Sequence, residues 1–277
     1  MRKIAAITMA RNDEFFLNRW IKYYGIELGE ENLFIILDGV DQKIPTDVGK
    51  VNITVVEHVQ LNRIKGDKSR ITRISSFAEV LFQKYDLVIG TDVDEFLVVD
   101  PYCKKSLKVY LDQVNCSTSI SALGIDVGQK LGIEDKIDEN KPFLAQRKYA
   151  LISTRYTKPI IISKPVSWGS GFHRVKGHNF KIDKNLYLFH FGSVDLELMQ
   201  QKINDIKLIN AGWKGHLSKR ANTISLVSHK SAYNADKLFS FIRLIQSICR
   251  PIYAWNKPTM LGWKPIIRIP ERFENVL

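Results

Sequence analysis

Cysteine is scarce in this chain, which has only Cys103, Cys116 and Cys249 among 277 residues. They form neither a C-x-x-C pair nor an even set, which argues against a disulfide scaffold and a structural zinc site and favours a reducing compartment. The signatures G-x-G-x-x-G and G-x-x-x-x-G-K-[ST] are also missing, which excludes a Rossmann dehydrogenase and a P-loop enzyme. With no internal repeat or low-complexity segment, the sequence favours a globular fold of enzyme size.

Long apolar runs are missing as well. A membrane span needs about 18 uncharged residues, and the nearest candidate, 238–249, is interrupted by Arg243. The apolar run Ile4–Ala10 is followed by charged and polar residues where a secretory signal would have small ones, so we interpret it as a buried first strand. We expect a cytoplasmic protein, with peripheral contact at the inner face of a membrane as a further possibility.

Acidic residues are few in the second half of the chain. Residues 1–140 hold 18 Lys and Arg against 22 Asp and Glu, whereas residues 141–277 hold 23 against 7, so the net charge of +12 comes from the second half. Such a surface attracts anionic partners, such as a phosphate-bearing lipid headgroup or an acidic glycan. The alternative is a solvated lysine-rich surface. No nucleic-acid partner is expected.

Hydrophobic periodicity predicts strands alternating with helices in the first hundred residues. The predicted strands are 3–9, 32–37, 51–56 and 86–90, and the predicted helices are 17–28, ended by Gly29, and 71–85. This βαβ alternation is typical of a parallel sheet. The predicted fold class is therefore α/β, with a Rossmann-like, mainly parallel sheet flanked by helices and an irregular or helical C-terminal extension.

The pattern becomes less regular after Pro101. It predicts strands at 117–125, 160–162 and 186–191, a charged loop at 128–142, and helices at 195–209 and around 238–245. Four prolines break up the remaining tail. We predict one catalytic-size domain at 1–210, divided into halves at residue 100, and a basic extension at 211–277.

Carboxylates follow two of the predicted strands, where ligands of open parallel sheets collect. Asp38 ends the second strand, and Asp92 and Asp94 follow the fourth. In an extended segment Asp92 and Asp94 share a face, with Glu95 directed away from them. Two carboxylates at an open site suit Mg²⁺ or Mn²⁺ bound to a diphosphate. With 17 Asp residues, about one Asp-x-Asp is expected by chance, so the motif is informative only because it follows a predicted buried strand. The alternative is that Asp92 and Asp94 are solvated carboxylates of a turn.

Two stretches of the sequence resemble glycosyltransferases of the GT-A type, and the closest likeness is to the bacterial family-2-like group. That group opens with K/R-N-E/D-x-x-x-L-x-x-W and carries a D-x-D-E-F metal motif; here residues 10–24 read ARNDEFFLNRWIKYY and residues 92–97 read DVDEFL, with Asp38-Gly39 between them. The resemblance covers about the first hundred residues. It continues more weakly through 163–191, and the tail resembles no family.

The resemblance implies transfer of a sugar from a nucleotide-sugar donor, with UDP as the expected nucleotide, to a glycan or lipid-linked acceptor. It implies Mn²⁺ or Mg²⁺ bridging the diphosphate, because a fixed cation stabilises the departing nucleoside diphosphate. Residues 1–100 would bind the donor and 101–210 the acceptor. The expected outcome is inversion at the anomeric carbon, and the expected setting is surface-polysaccharide or lipopolysaccharide assembly.

The resemblance also suggests metal ligands. Asp94 is the first, and Asp92 is the second unless it holds the ribose or a metal-bound water. His190 corresponds to a histidine supplied late in such domains; the alternative is a core histidine bonded to backbone. His173, in a glycine-flanked loop, competes for the ligand role or contacts substrate as a catalytic residue.

Donor contacts in such proteins come from the first and second strand ends, which here carry Ala10, Arg11, Asn12 and Asp38. Arg73 resembles an arginine near the diphosphate, whereas Lys68 and Arg70 are interpreted as a solvated helix face. The alternatives are a surface salt bridge from Arg11 to Asp13 or Glu14, and an Asx turn of Asp38 with Gly39.

An inverting transfer needs a general base to accept the proton of the acceptor hydroxyl. Asp126 follows the apolar run 120–125 and is the predicted base, with Glu134 and Asp135 as runners-up on an acceptor loop. The chain lacks the more familiar acidic-pair motif of the family, so the base and the stereochemistry stay open.

Two rival functions remain. A phosphotransferase using Asp92 as nucleophile would also place Asp-x-Asp after a strand, but its motif usually opens the domain. A non-catalytic module would bind a glycan or an anionic surface through the basic second half and its tryptophans, Trp168, Trp213, Trp255 and Trp263. Such a module leaves the acidic strand ends unexplained and should show no metal-dependent nucleotide affinity.

Overall fold

The computed structural model describes residues 1–46, 48–210, 212 and 214–277, with the side chains of all of these except 207, 214 and 216–221. Trp213 lies outside the described residues. The strands are β1 (Ile4–Ala10), β2 (Leu33–Asp38), β3 (Asn52–Val56), β4 (Leu87–Gly90), β5 (Glu95–Val99), β6 (Ser119–Gly128), β7 (Tyr149–Ile152), β8 (Ile161–Ile162), β9 (Ile182–Ser193), β10 (Tyr233–Asn234) and β11 (Ile266–Arg268). The helices are α1 (Glu14–Leu28), α2 (Arg63–Leu81), α3 (Leu107–Gln113), α4 (Phe143–Gln146), α5 (Leu196–Asn204), α6 (Ile206–Asn210), α7 (Lys214–His229) and α8 (Ala235–Ile248).

The first half of the chain folds as its periodicity predicts. Strands β3, β2, β1 and β4 lie side by side, and each neighbouring pair is parallel. Helix α1 packs its buried stripe, which includes Trp20 and Tyr24, against the sheet. It ends at Gly29, whose φ of 97° is a conformation that a glycine adopts without strain. A mixed α/β fold with a large central sheet flanked by helices is thereby confirmed.

The second half departs from the prediction of a mainly parallel sheet. Of the strand pairings in the described residues, five are parallel and five antiparallel. The reason begins at residues 93 and 94, which form a turn between β4 and β5. A parallel crossover needs a dozen or more residues, so β5 leaves β4 and pairs antiparallel with β9. The prediction of a mainly parallel sheet was wrong here because β5 follows β4 after a turn of only two residues. In the sequence, β5 is therefore difficult to distinguish from a continuation of β4.

The C-terminal residues join the same sheet. Strand β11 pairs antiparallel with β7, and Arg272 donates two hydrogen bonds of 2.9 and 3.0 Å to the carboxylate of Asp100.

The predicted helix 195–209 is two helices, because Asp205 is extended, and α7 was not predicted. The boundary at residue 210 stays a prediction. Among the helices of the described residues, none has the length and hydrophobicity needed to span a membrane.

One glycine allows the segment after β7 to lie against β6. A Cβ on Gly124 would lie 2.3 Å from the backbone carbon of Tyr156 and 2.4 Å from the backbone nitrogen of Thr157. The same close approach lets the Gly124 amide donate to the Thr157 hydroxyl, at 3.0 Å. Residues 156–158 are thus held against the middle of the sheet.

We expect Gly124→Ala to lower the free energy of unfolding by about 3 kcal/mol, because backbone atoms must move to admit the methyl group. Urea denaturation should show a lower midpoint at unchanged slope. Gly66→Ala is the matched control, since a Cβ there meets no atom closer than 3.9 Å and lies within α2; we expect it to be neutral or stabilising by up to about 1 kcal/mol. Equal stability of the two variants would contradict the packing argument.

Candidate active site

The strand registers bring the predicted site residues to one edge of the sheet. Strands β1, β2 and β4 are parallel, so Ala10, Asp38 and Asp92 all lie at or just beyond their carboxyl ends. Across β5, β9 and β6, Glu95 pairs with His190, and His190 pairs with Asp126. The turn at residues 93 and 94 joins these two sets, so residues far apart in sequence meet around Asp94.

His190 lies between two carboxylates. Its Nδ1 is 2.7 Å from Asp126 Oδ1, and its Nε2 is 3.3 Å from Asp94 Oδ2. Asp126 also accepts a hydrogen bond of 2.6 Å from the hydroxyl of Thr223 on α7. The ring of Tyr156 stacks on the imidazole, with 3.8 Å between centroids. These contacts fix the position of the imidazole ring.

The two carboxylates control the charge of His190. Burial alone would lower its pKa, but Asp94 and Asp126 outweigh burial and raise the pKa to about 8. Within the part of the chain that the structure describes, the buried Nε2 has no hydrogen-bond partner. A Cβ on Gly192 would lie 2.6 Å from Cε1 of the same ring. The ring edge that faces Asp94 is thus kept clear by a glycine.

This arrangement resembles one half of a metal site. A ligating histidine usually donates its second ring N–H to a carboxylate, and Asp126 is placed to accept it. His190 Nε2 and an oxygen of Asp94 would then be the protein ligands. A search of the described residues finds no group of three or more His, Cys, Asp or Glu able to hold a metal ion, so other ligands would have to come from substrate or water.

Asp92 is engaged differently from the prediction. Its Oδ1 accepts from the guanidinium of Arg70, and its Oδ2 lies 3.1 Å from Nζ of Lys158. Asp92 and Asp94 therefore do not share an ion in this conformation, because the turn at residues 93 and 94 directs them to different partners. Asp92 contacts two cationic side chains here, and its role as a second metal ligand stays a prediction.

Glu95 does not point away from the cluster, contrary to the extended-strand expectation. It is completely buried, and its carboxylate accepts from Nζ of Lys158. Burial alone would lower the pKa of Lys158, but Glu95 and Asp92 together raise it. Lys158 therefore carries a buried positive charge that links the end of β4 to the start of β5.

The arginine in contact with the acidic cluster is Arg70 and not Arg73. Arg70 contacts Asp92, and its guanidinium carbon lies 5.7 Å from the ring centroid of Phe172. Arg73 lies on the stretch of α2 that lines a shallow surface groove of about 770 Å³. The interpretation of Arg70 as a solvated residue is corrected by its contact with Asp92, and the assignment of Arg73 to the diphosphate stays a prediction.

The predicted donor-binding residues lie together at the ends of β1 and β2. Arg11 donates to the backbone oxygen of Asp38 at 2.5 Å and makes two hydrogen bonds of 2.9 Å to Asp41. Asp38 Oδ2 lies 3.0 Å from Nδ1 of His58. Asn12 has a left-handed φ of 49°, and its backbone N–H donates to Gln42. Ala10 is buried beneath them. The alternative of a surface salt bridge for Arg11 holds in the structure, with Asp41 as the partner in place of Asp13 or Glu14.

His173 lies beside the cluster, at the end of the 3₁₀ turn 170–172. Its Nδ1 is 2.9 Å from the backbone oxygen of Arg155, and a carbonyl only accepts, so Nδ1 carries the proton. Burial, followed by the charges of Lys158 and Lys257, lowers its pKa to about 3. The ring is thus neutral, with Nε2 as its proton-accepting atom.

Asp126 lies behind His190 instead of facing an acceptor. Its two oxygens are taken by His190 and Thr223, and it is 4% exposed. The prediction of Asp126 as the general base is therefore corrected to a role in positioning the imidazole. Glu134 accepts from the backbone amides of Lys130 and Lys148, at 2.7 and 2.6 Å, and so organises its own loop. Asp135 is exposed on that loop.

Sequence reasoning missed four residues of the site, namely Arg70, Tyr156, Lys158 and Thr223. Lys158 is the most informative omission, since its only signal in the sequence was a lysine followed directly by Pro159 and the apolar run 160–162. Lysine is almost never fully buried unless it is paired. A lysine beside a strand of three isoleucines could therefore have indicated a buried acidic partner.

Comparisons with known proteins assign no family. No family model matches the chain, and no curated protein matches it. Among solved structures, it is similar to one titled mannose-1-phosphate geranyltransferase from Thermus thermophilus, at 8% sequence identity and a TM-score of 0.28, over 86% of this chain and 68% of that one. At this TM-score, fold and chemistry have to be argued from the residues of the chain itself.

We expect Lys158→Met to lower the free energy of unfolding by about 3–5 kcal/mol, because it leaves Glu95 as a buried carboxylate without a cation. Adding Glu95→Gln should recover a large part of that loss. Lys43→Met is the control, since Lys43 pairs with Glu14 at an exposed position, and no measurable change is expected. Chemical denaturation of the four proteins gives the comparison; a double variant no more stable than Lys158→Met would contradict the pairing.

Proposed function

We propose that the protein is a metal-dependent glycosyltransferase of the GT-A type that uses a nucleotide-sugar donor. The observation that carries the proposal is the buried pair formed by Asp94 Oδ2 and His190 Nε2, which lie 3.3 Å apart without a hydrogen bond at Nε2 within the described residues. The pair lies beside the carboxyl ends of the parallel strands, and Asp94 belongs to the D-x-D-E-F stretch that resembles the metal motif of that group.

The chemistry of the donor set supports a hard divalent cation. One carboxylate oxygen and one imidazole nitrogen suit Mn²⁺, and also Mg²⁺ with more oxygen ligands, while Asp126 provides the hydrogen-bond acceptor behind the ring. When bound, such a cation would neutralise charge on the departing nucleoside diphosphate. Asp94 and His190 would hold it, and Gly192 would leave space for it.

The other residues of the site have roles that follow from their positions. Arg70 is partly exposed beside Asp92 at the strand end, where its guanidinium would contact the diphosphate. Arg11, Asn12 and Asp38 lie at the adjacent strand ends, where their polar groups would contact the nucleoside. His173 presents a neutral Nε2 that would accept a hydrogen bond from an acceptor hydroxyl.

The acceptor class and setting remain proposals as well. The resemblance points to a glycan or a lipid-linked acceptor, with UDP as the nucleotide and inversion as the outcome. The basic second half favours an acceptor that carries negative charge. Surface-polysaccharide or lipopolysaccharide assembly would supply acceptors of this kind.

We expect Asp94→Ala to abolish metal-dependent nucleotide binding and sugar transfer while the protein remains folded. Calorimetric titration of UDP with and without Mn²⁺ measures the first, and metal-dependent hydrolysis of a nucleotide-sugar panel measures the second. Glu79→Ala removes an exposed carboxylate of α2 and is the control, which should behave as the unmodified protein. A nucleotide affinity that is equal with and without metal would support a non-catalytic binding module instead.

We expect Asp126→Asn to weaken the Mn²⁺-dependent affinity for UDP by about 10- to 100-fold, because the side chain behind a ligating histidine orients it. Binding of UDP without metal should be unchanged. The comparison with Asp94→Ala separates a positioning residue from a ligand, since the positioning variant should recover nucleotide binding at higher Mn²⁺ concentration. A complete loss that excess Mn²⁺ does not restore would contradict the assignment.

A further inference from the structure

The outer face of α8 and the segment that follows it expose large apolar side chains. Ile252 is fully exposed, Tyr253 is 81% exposed and Leu261 is 80% exposed. We call this surface the apolar face; its members are Phe241, Leu244, Ile248, Ile252, Tyr253, Trp255 and Leu261. The first three are spaced by three and four residues, so they form one stripe along the helix. Water-facing side chains of this size in one contiguous part of the chain indicate an interaction surface.

The apolar face is held in place by specific contacts. Arg250 donates to the backbone oxygen of Trp255 at 2.8 Å, and the Thr259 amide donates to the backbone oxygen of Cys249 at 3.2 Å. The ring of Trp263 lies edge-on to Phe241, with 6.3 Å between centroids. These contacts connect the segment 250–263 to the end of α8. The exposed side chains therefore belong to an ordered surface.

Positive charge surrounds the apolar face. Residues 237–270 contain six Lys and Arg and no Asp or Glu, and Lys237, Lys264 and Arg268 are exposed. The neighbouring segment 174–181 adds cations and no acid, and it is tied to this region by the hydrogen bond from Asn256 to the backbone oxygen of Val175, at 2.9 Å. The whole region would therefore attract an anionic partner.

We propose that the apolar face docks on a lipid bilayer whose headgroups are anionic. Isoleucine and leucine would enter the boundary between headgroups and acyl chains, and Tyr253 and Trp255 have the amphipathic rings enriched at that depth. The surrounding Lys and Arg would pair with lipid phosphates. An apolar face on a segment that carries cations and no acid at residues 237–270 matches this partner better than a protein surface, which presents both signs of charge.

This inference is independent of the proposed function, since it uses none of the residues of the candidate active site. The two regions are nevertheless adjacent in the fold. Val175 forms a β-bridge with Trp168 and lies two residues after His173 in the chain. Its backbone oxygen accepts the hydrogen bond from Asn256, which belongs to the segment that carries the apolar face. Docking would bring the side of the candidate site that carries His173 close to the membrane surface.

The test is flotation of the full chain with phosphatidylcholine vesicles, with and without phosphatidylglycerol. We expect the protein to float with the anionic vesicles only, and to be released as salt is raised. Ile252→Ser combined with Leu261→Ser should reduce the bound fraction by at least about tenfold, and Lys237→Gln combined with Lys264→Gln, both exposed, by about tenfold. The matched control is Ile26→Ser with Ile64→Ser, which removes two equally exposed aliphatic side chains from α1 and α2 and should leave binding unchanged.

Several results would overturn the proposal. They are an absence of binding to anionic vesicles, equal binding to neutral ones, or a serine variant that floats as well as the unmodified protein. A fourth is a dimer in sedimentation experiments that the Ile252→Ser and Leu261→Ser pair dissociates, which would assign the surface to a second copy of the chain. Because flotation needs neither metal nor nucleotide, its outcome is separate from that of the Asp94→Ala titration.

Discussion

The candidate site depends on a buried lysine. The ammonium group of Lys158 contacts the carboxylates of Glu95 and Asp92, and the residue is 1% exposed. A buried charge is tolerated only when it is paired, so the start of β5, the end of β4 and the segment after β7 must meet at this point. Gly124 permits that meeting, because it lets the backbone at residues 156 and 157 approach β6. The position of Tyr156 against His190 then follows from the same segment.

Because Lys158 binds Asp92, the two aspartates of the D-x-D-E-F stretch have different partners. Asp92 is bound to Arg70 and Lys158, whereas Asp94 is directed to His190. One carboxylate thus holds positive charges at the site and the other is placed to bind a cation. The result is a site with cationic side chains and a candidate metal position next to each other.

The sequence was most informative where the structure is regular. Strands β1, β2 and β4 are short apolar runs and helix α1 has a clear spacing of three and four, and these elements were predicted within a few residues of their observed bounds. Helix α2 was predicted at 71–85, eight residues short of its observed start at Arg63. The edge on which Asp38, Asp92 and Asp94 lie followed from those strands. His190 was identifiable as the end of an apolar strand, although its partners Asp126 and Thr223 were not predictable, because their pairing depends on the register of β6 with β9 and on helix α7.

The errors have a common physical origin. The i and i+2 argument for Asp92 and Asp94 assumed extended backbone, but the chain turns there, and a turn of two residues leaves no periodic signal. Burial of Lys158 depends on packing between segments more than 60 residues apart, and the choice of Arg70 over Arg73 depends on a tertiary contact with Asp92, 22 residues away in sequence. Local sequence patterns carry no information on such contacts.

Thr223 has a consequence for how the chain can be divided. It donates to Asp126 from α7, and β11 completes the sheet beside β7 from still further along the chain. A polypeptide shortened at residue 210 would lack a hydrogen bond of the candidate site and would expose the edge of β7. An isolated segment 1–210 would therefore have an incomplete candidate site and an unpaired strand edge open to aggregation. The chain has to be expressed as one unit.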